Sequence, residues 1–168
     1  GKTFAFEHYG ITPDLISMGK GVSSSLPVSV VKGRTNVLDL APPGEMSSTQ
    51  GGNPVCMAAA LANLDVFEEE DLVNRSAKLG NQLNAWLRPI GERHRNRIKS
   101  IVGRGLWQAI HFCDPTTEEP AIGLADDVAM ECVRRGLMSL LTGSGFYRIA
   151  PPLMIDVDAL QEATEVLG

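Results

Sequence analysis

Leu106-Trp107-Gln108-Ala109-Ile110-His111-Phe112 is the stretch that decides how the second half of the chain folds. Leu106, Gln108, Ile110 and Phe112 share one parity, and Trp107, Ala109 and His111 share the other. Strict alternation of this kind assigns a β-strand, because successive strand side chains point to opposite faces. Working outward, residues 98–102 read as a preceding strand, with Gly103-Arg104-Gly105 as the turn between the two. Residues 114–120 are rich in turn formers and read as a loop. Residues 124–135 put Ala125, Val128, Ala129, Cys132 and Val133 on one helical face. Arg134 and Arg135 suit the C-terminus of that helix, and Gly136 suits the position just beyond it. Strands at 137–141 and 146–149 and a helix starting near Asp158 complete a β-β-α-β-β-α order. That order predicts a compact α+β lobe with helices on one face of a sheet.

Upstream the pattern differs. Residues 14–18 and 28–31 read as short strands, and residues 39–50 as a loop marked by Pro42, Pro43 and Gly44. Asn53-Pro54 opens a helix, since Asn favours the N-cap and Pro the first helical position. Met57, Leu61, Leu64 and Phe67 form its apolar stripe, and three consecutive glutamates end it near Glu70. Asp71 can cap a second helix that buries Leu72, Leu79, Leu83 and Trp86 and closes at Pro89 and Gly91. Two strands and a helix pair cannot cover both faces of a parallel sheet, so the first half is expected to be the end of a larger α/β unit.

Composition narrows the function classes. A net charge of −5 argues against a nucleic-acid binder, which carries a basic face. No apolar run approaches the roughly 18 residues of a membrane span, and no signal or transit peptide is apparent. Cys56, Cys113 and Cys132 form no CxxC pair and no ligand spacing, so no metal site is expected. They read as small core residues of a protein from a reducing compartment. His8, His94 and His111 are not spaced as a metal set either. The chain opens on Gly1 and stops at Gly168 inside a helical pattern, and is expected to be a fragment of a longer protein.

Three segments can carry chemistry. Lys20 follows the first strand directly, between Gly19 and Gly21. A lysine in a partly desolvated pocket can form a Schiff base with an aldehyde; the alternative reading is an exposed turn lysine. A nucleotide-binding phosphate loop is excluded, because Asp14 and Gly21 stand where Gly and Ser or Thr are required. Ser47-Ser48-Thr49-Gln50-Gly51-Gly52-Asn53-Pro54 leads hydroxyls and small residues into a helix N-terminus. Such a segment can present hydroxyls and backbone N–H groups to a phosphate, or serve as a capped loop. Arg148 lies on a short strand ended by Pro151 and Pro152. It can fork onto a substrate carboxylate or pair with one of the chain's own acids.

In this order the three segments resemble the class-III aminotransferases, which depend on pyridoxal phosphate (PLP) and include the ornithine, acetylornithine and 4-aminobutyrate enzymes. The matching text runs from Gly1-Lys2-Thr3-Phe4-Ala5-Phe6-Glu7-His8-Tyr9-Gly10 through Pro13-Asp14-Leu15-Ile16, Lys20-Gly21, Leu26-Pro27 and Gly33-Arg34. It continues through Ser48-Thr49 and Gly51-Gly52-Asn53-Pro54 to Arg148-Ile149-Ala150-Pro151-Pro152-Leu153. Ser23, Ser24 and Ser25 depart from a glycine-rich stretch, and Gln50 stands where an aromatic or His is more usual.

The resemblance implies an α/β fold: the tail of a fold type I large domain over residues 1–70, then a small α+β C-terminal domain over residues 71–168. It implies that Lys20 holds PLP as a Schiff base and acts as the catalytic lysine. It implies that Thr49, with Ser48, binds the PLP phosphate of the neighbouring subunit of a homodimer, and that Arg148 pairs with a substrate carboxylate. The implied reaction moves an amino group from an amino acid or ω-amino acid to a 2-oxo acid, in the cytoplasm, without nucleic acid or membrane partners. The aspartate facing the pyridine nitrogen belongs upstream, so the chain alone is expected to be inactive. The alternatives are an aminomutase or decarboxylating transaminase of the same fold, or a non-catalytic α/β module.

Overall fold

The alternating segment at 107–112 is the second strand of a four-stranded antiparallel sheet in the computed structural model, which describes residues 1–138, 140–141 and 143–168. The chain divides into two compact units, Lys2–Leu72 and Val73–Gly168, the latter together with Gly1.

In the C-terminal unit, helix α3 (Leu72–Arg93) enters from the preceding unit. Strands β3 (Ile98–Arg104) and β4 (Trp107–Phe112), helix α4 (Ile122–Arg134), β5 (Leu140–Leu141), β6 (Phe146–Ile149) and helix α5 (Val157–Leu167) follow. The sheet order is β3-β4-β6-β5. Leu106, Gln108, Ile110 and Phe112 are all buried, as alternation requires. They pack with Leu79, Leu83, Leu87 and Ile90 of α3, Ala125, Ala129 and Cys132 of α4, Tyr147 of β6 and Leu160 of α5. The opposite face of the sheet stays open: Val102, Trp107 and Leu140 are exposed.

The β3–β4 hairpin closes on Gly105-Leu106 rather than on residues 103–105, because Arg104 already pairs with Trp107. Gly105 takes a φ of 56°, which a two-residue hairpin loop requires and glycine supplies without strain. Gly80 of α3 lies against this loop, and a Cβ there would come within 2.4 Å of the Gly105 backbone. The Gln108 side-chain amide donates to the Gly105 carbonyl at 2.9 Å and fixes the start of β4.

Three expectations need correction here. Pro89 lies inside α3, which runs on to Arg93. Leu87 and Ile90 flank the exposed proline and are buried, so core packing carries the helix past a missing N–H. Val133 is half exposed rather than inward, because it sits on the edge of the stripe whose centre is Ala125, Ala129 and Cys132. Of the strand expected at 137–141, Leu140–Leu141 pairs with β6, while Ser139 lies outside the described residues.

In the N-terminal unit, a 3-10 turn (Ala5–Tyr9) precedes β1 (Leu15–Met18), which pairs antiparallel with β2 (Val30–Gly33). A short helix α1 (Thr35–Leu38), absent from the sequence reading, precedes helix α2 (Pro54–Glu69). The apolar stripe expected on α2 is only partly covered: Met57 and Phe67 are half-buried. Leu61 and Leu64 are 63% and 51% exposed, and Ala60 alone of the helix is buried. Periodicity thus reports a surface made for burial and not how much of it is buried.

Candidate active site

Lys20 stands where β1 gives out. Gly19 continues the strand in extended geometry, and Lys20–Val22 form one 3-10 turn. Lys20 itself has a φ of 52°. A left-handed conformation costs a non-glycine residue of order 1 kcal/mol or more, so the surrounding structure must enforce it. Asn63 of α2 does this from outside the turn: its side-chain amide donates to the carbonyls of Gly21 at 2.9 Å and Val22 at 3.1 Å. Ser23, buried, donates its hydroxyl to the Leu26 carbonyl, and Ser24 takes a φ of 62°. The serines thus follow a path that glycines would follow more cheaply. The Lys20 side chain is exposed and has no acidic or hydrogen-bonding partner among the described residues.

Ser48 and Thr49 precede α2 in a turn closed by a hydrogen bond from Gly51 N–H to the Ser48 carbonyl at 3.0 Å. Both are exposed, and neither hydroxyl is engaged among the described residues. The helix N-terminus is not equally free. Asn53 Oδ1 accepts from Val55 N–H at 3.0 Å and from Cys56 N–H at 3.3 Å. Pro54 has no N–H to offer. Any anion here therefore meets the hydroxyls and the turn rather than the first helical amides, a narrower donor set than the sequence pattern allowed.

Arg148 lies on β6, opposite Ala109 of β4. The small alanine leaves room for the arginine to reach diagonally, and its guanidinium carbon sits over the Trp107 ring, 5.2 Å from the centroid. No carboxylate pairs with it among the described residues, so the structural ion pair weighed from sequence is not formed. On the same face Ser100 Oγ lies 3.1 Å from His111 Nδ1, and the imidazole tilts against Phe146 with ring centroids 4.2 Å apart. Burial lowers the His111 pKa from its ordinary value of 6.5.

Lys20, Ser48 and Thr49 thus belong to the N-terminal unit and Arg148 to the C-terminal one. Sequence reasoning missed Asn63 and Trp107. A polar residue in mid-helix signalled the first, since Asn is a poor helix former unless its side chain is used. An outward-facing Trp signalled the second, but its partner required the strand register. Among the described residues no group of three or more His, Cys, Asp or Glu side chains is arranged to hold a metal, and no helix is long and apolar enough to cross a membrane.

The ornithine aminotransferase of Arabidopsis thaliana mitochondria is 38% identical over 168 residues, covering 99% of this chain and 35% of that protein. A leucine/methionine racemase from Thermococcus litoralis is 36% identical, covering 99% of this chain and 38% of the relative. Among solved structures, an ornithine aminotransferase from Toxoplasma gondii with PLP in partial occupancy at its active site superposes with a TM-score of 0.87 at 34% identity. That superposition covers 99% of this chain and 38% of the other, so the fold is that of the corresponding part of a PLP-dependent aminotransferase. The chain spans little more than a third of the length of these relatives. The family model for class-III aminotransferases matches residues 1–168 from end to end, and the chain belongs to that family.

Proposed function

We propose that this chain is the C-terminal part of a PLP-dependent aminotransferase that moves an amino group from an amino acid or ω-amino acid to a 2-oxo acid. The observation that carries the reading is the match of the whole chain to the class-III aminotransferase family, with Lys20 held at a strand end in a left-handed conformation by a turn anchored to α2. The donor set suits the cofactor, with an amine for the aldehyde and the hydroxyls of Ser48 and Thr49 for the phosphate. When bound, PLP supplies a carbonyl that takes up the amino group and a ring that stabilises negative charge at the neighbouring carbon.

Lys20 Nζ would hold the cofactor through its aldehyde, and its free amine would take the proton from the substrate carbon that bears nitrogen. Lysine suits this position because one nitrogen must serve in turn as nucleophile, leaving group and base. Thr49 and Ser48 bind the phosphate across the interface of a homodimer. Arg148 receives a substrate carboxylate by two parallel hydrogen bonds. Residues 1–70 form the tail of the large domain and residues 71–168 the small domain. The rest of the large domain lies upstream, so the 168-residue chain alone turns nothing over. The enzyme acts in the cytoplasm.

A second reading is racemisation of an amino acid, favoured by the racemase among the relatives. It uses the same lysine chemistry without a 2-oxo acid acceptor. The test begins with the complete protein loaded with PLP, reduced with borohydride and mapped by peptide analysis. The label is expected on Lys20; a label on Lys32 or Lys99 instead rejects the assignment. Lys20→Ala is expected to lose amine transfer by about a thousandfold or more. Incubating ornithine and other α- and ω-amino acids with and without 2-oxoglutarate separates the two reactions. Acceptor-dependent product means transamination, and acceptor-independent loss of optical activity means racemisation.

A further inference from the structure

We propose that Trp107 is a positioning residue for carboxylate recognition, its ring confining the Arg148 guanidinium on the open face of the sheet. The proposal rests on the reading of Arg148 as the carboxylate receptor. All five guanidinium donors lie in the plane of the group, so contact with a ring face uses none of them. The contact fixes where the cation sits and leaves its hydrogen-bonding edge for a carboxylate.

The arrangement is built from the backbone outward. Gln108 ties the hairpin loop to the start of β4, which sets the position of Trp107. The β4–β6 register puts Ala109 directly across from Arg148, so no bulky neighbour separates guanidinium and indole. Trp107 is 60% exposed and faces away from the residues of the core, so the core does not depend on it. With no carboxylate of the described residues paired to Arg148, the indole is the contact that restrains the cation. An arginine held in place before the substrate arrives loses less side-chain freedom on binding, and that saving appears as affinity.

The experiment uses the complete PLP-loaded enzyme, with Trp107→Leu, Trp107→Phe and Arg148→Lys compared against the parent. KM and kcat are measured with 2-oxoglutarate, and the affinity for glutarate, an unreactive dicarboxylate, is measured by calorimetry. Trp107→Leu is expected to raise KM and the glutarate Kd by about three- to tenfold, the size of a partly desolvated cation–π contact, with kcat within about twofold. Trp107→Phe, which keeps a ring face, is expected to recover most of the loss. Arg148→Lys is expected to weaken both more strongly, because the fork is lost. If Arg148→Lys weakens carboxylate binding and Trp107→Leu does not, the positioning role is rejected while the reading of Arg148 stands. If Arg148→Lys changes neither quantity, the reading of Arg148 fails and the proposal with it. A Trp107→Leu enzyme with lower kcat, unchanged KM and a lower melting temperature would show a merely structural role and also overturn the proposal.

Discussion

Helices α2 and α3 are both rich in apolar residues, yet they meet opposite fates. Of α3, Leu72, Leu79, Leu83, Leu87 and Ile90 are buried, most of them in a core shared with a sheet and two further helices. Of α2, Ala60 alone is buried, while Val55, Leu61, Leu64 and Val66 stand in solvent. The C-terminal unit thus carries the core, and the N-terminal unit carries Lys20 and the hydroxyls of Ser48 and Thr49. A helix apolar on most sides is made for burial on most sides. The difference teaches that the lysine-bearing unit is positioned by local devices, which are turns, caps and single side-chain hydrogen bonds, more than by a core.

The sharpest way to break this comparison is a matched pair of truncations. Leu83→Ala should cost about 2–5 kcal/mol of unfolding free energy, because a 1% exposed leucine leaves a cavity. Leu61→Ala in the 168-residue chain should cost within about 0.5 kcal/mol, as for an ordinary surface position. Urea melts followed by circular dichroism would read both. Equal losses would show that α2 is covered in solution and that the contrast is false.

Two smaller effects test the local devices. Asn53→Ala removes the acceptor for Val55 and Cys56 N–H and should cost about 1 kcal/mol, seen as faster hydrogen exchange in the first turn of α2. Asn63→Leu deletes both hydrogen bonds to the carbonyls after Lys20, and net losses of about 1 kcal/mol per bond are ordinary. The expected sign is faster exchange in the turn at 20–23 with β3 and β4 unchanged. Protection that stays constant would mean that Lys20 holds its left-handed conformation without help from α2.

How much of this was legible follows the same division. The strand at 107–112 could be read because period-two alternation acts directly where one face is buried. Asn53 and Pro54 marked the start of α2 because capping is local chemistry. The α2 stripe could be read as apolar, but its burial could not, because periodicity describes a surface and not its partner. The end of α3 was misread because buried Leu87 and Ile90 outweigh the local signal of Pro89. Lys20 could be singled out by its setting, but its backbone conformation and Asn63 depend on contacts between distant residues. Trp107 and Arg148 were each visible on outward strand positions, and only the β4–β6 register joins them.

The smallest expected effect belongs to the open sheet face and probes its environment. His111 packs against Phe146 and lies beside Ser100 Oγ, a setting that desolvates the imidazole and lowers its pKa below 6.5. The unfolded chain therefore binds more protons than the folded one in the interval just below that value. Stability contributed by the neutral ring is present above pH 6.5 and falls as pH drops toward the depressed folded value. The effect is modest because the ring is partly exposed. A titration of the His111 ring by NMR should give a midpoint below 6.5, and His111→Gln should flatten the slope of the urea midpoint between pH 7.5 and 5.5. A midpoint above 6.5 would mean that an acidic group approaches this face in solution. The sheet face that bears Arg148 would then be one that already attracts a carboxylate of the protein itself.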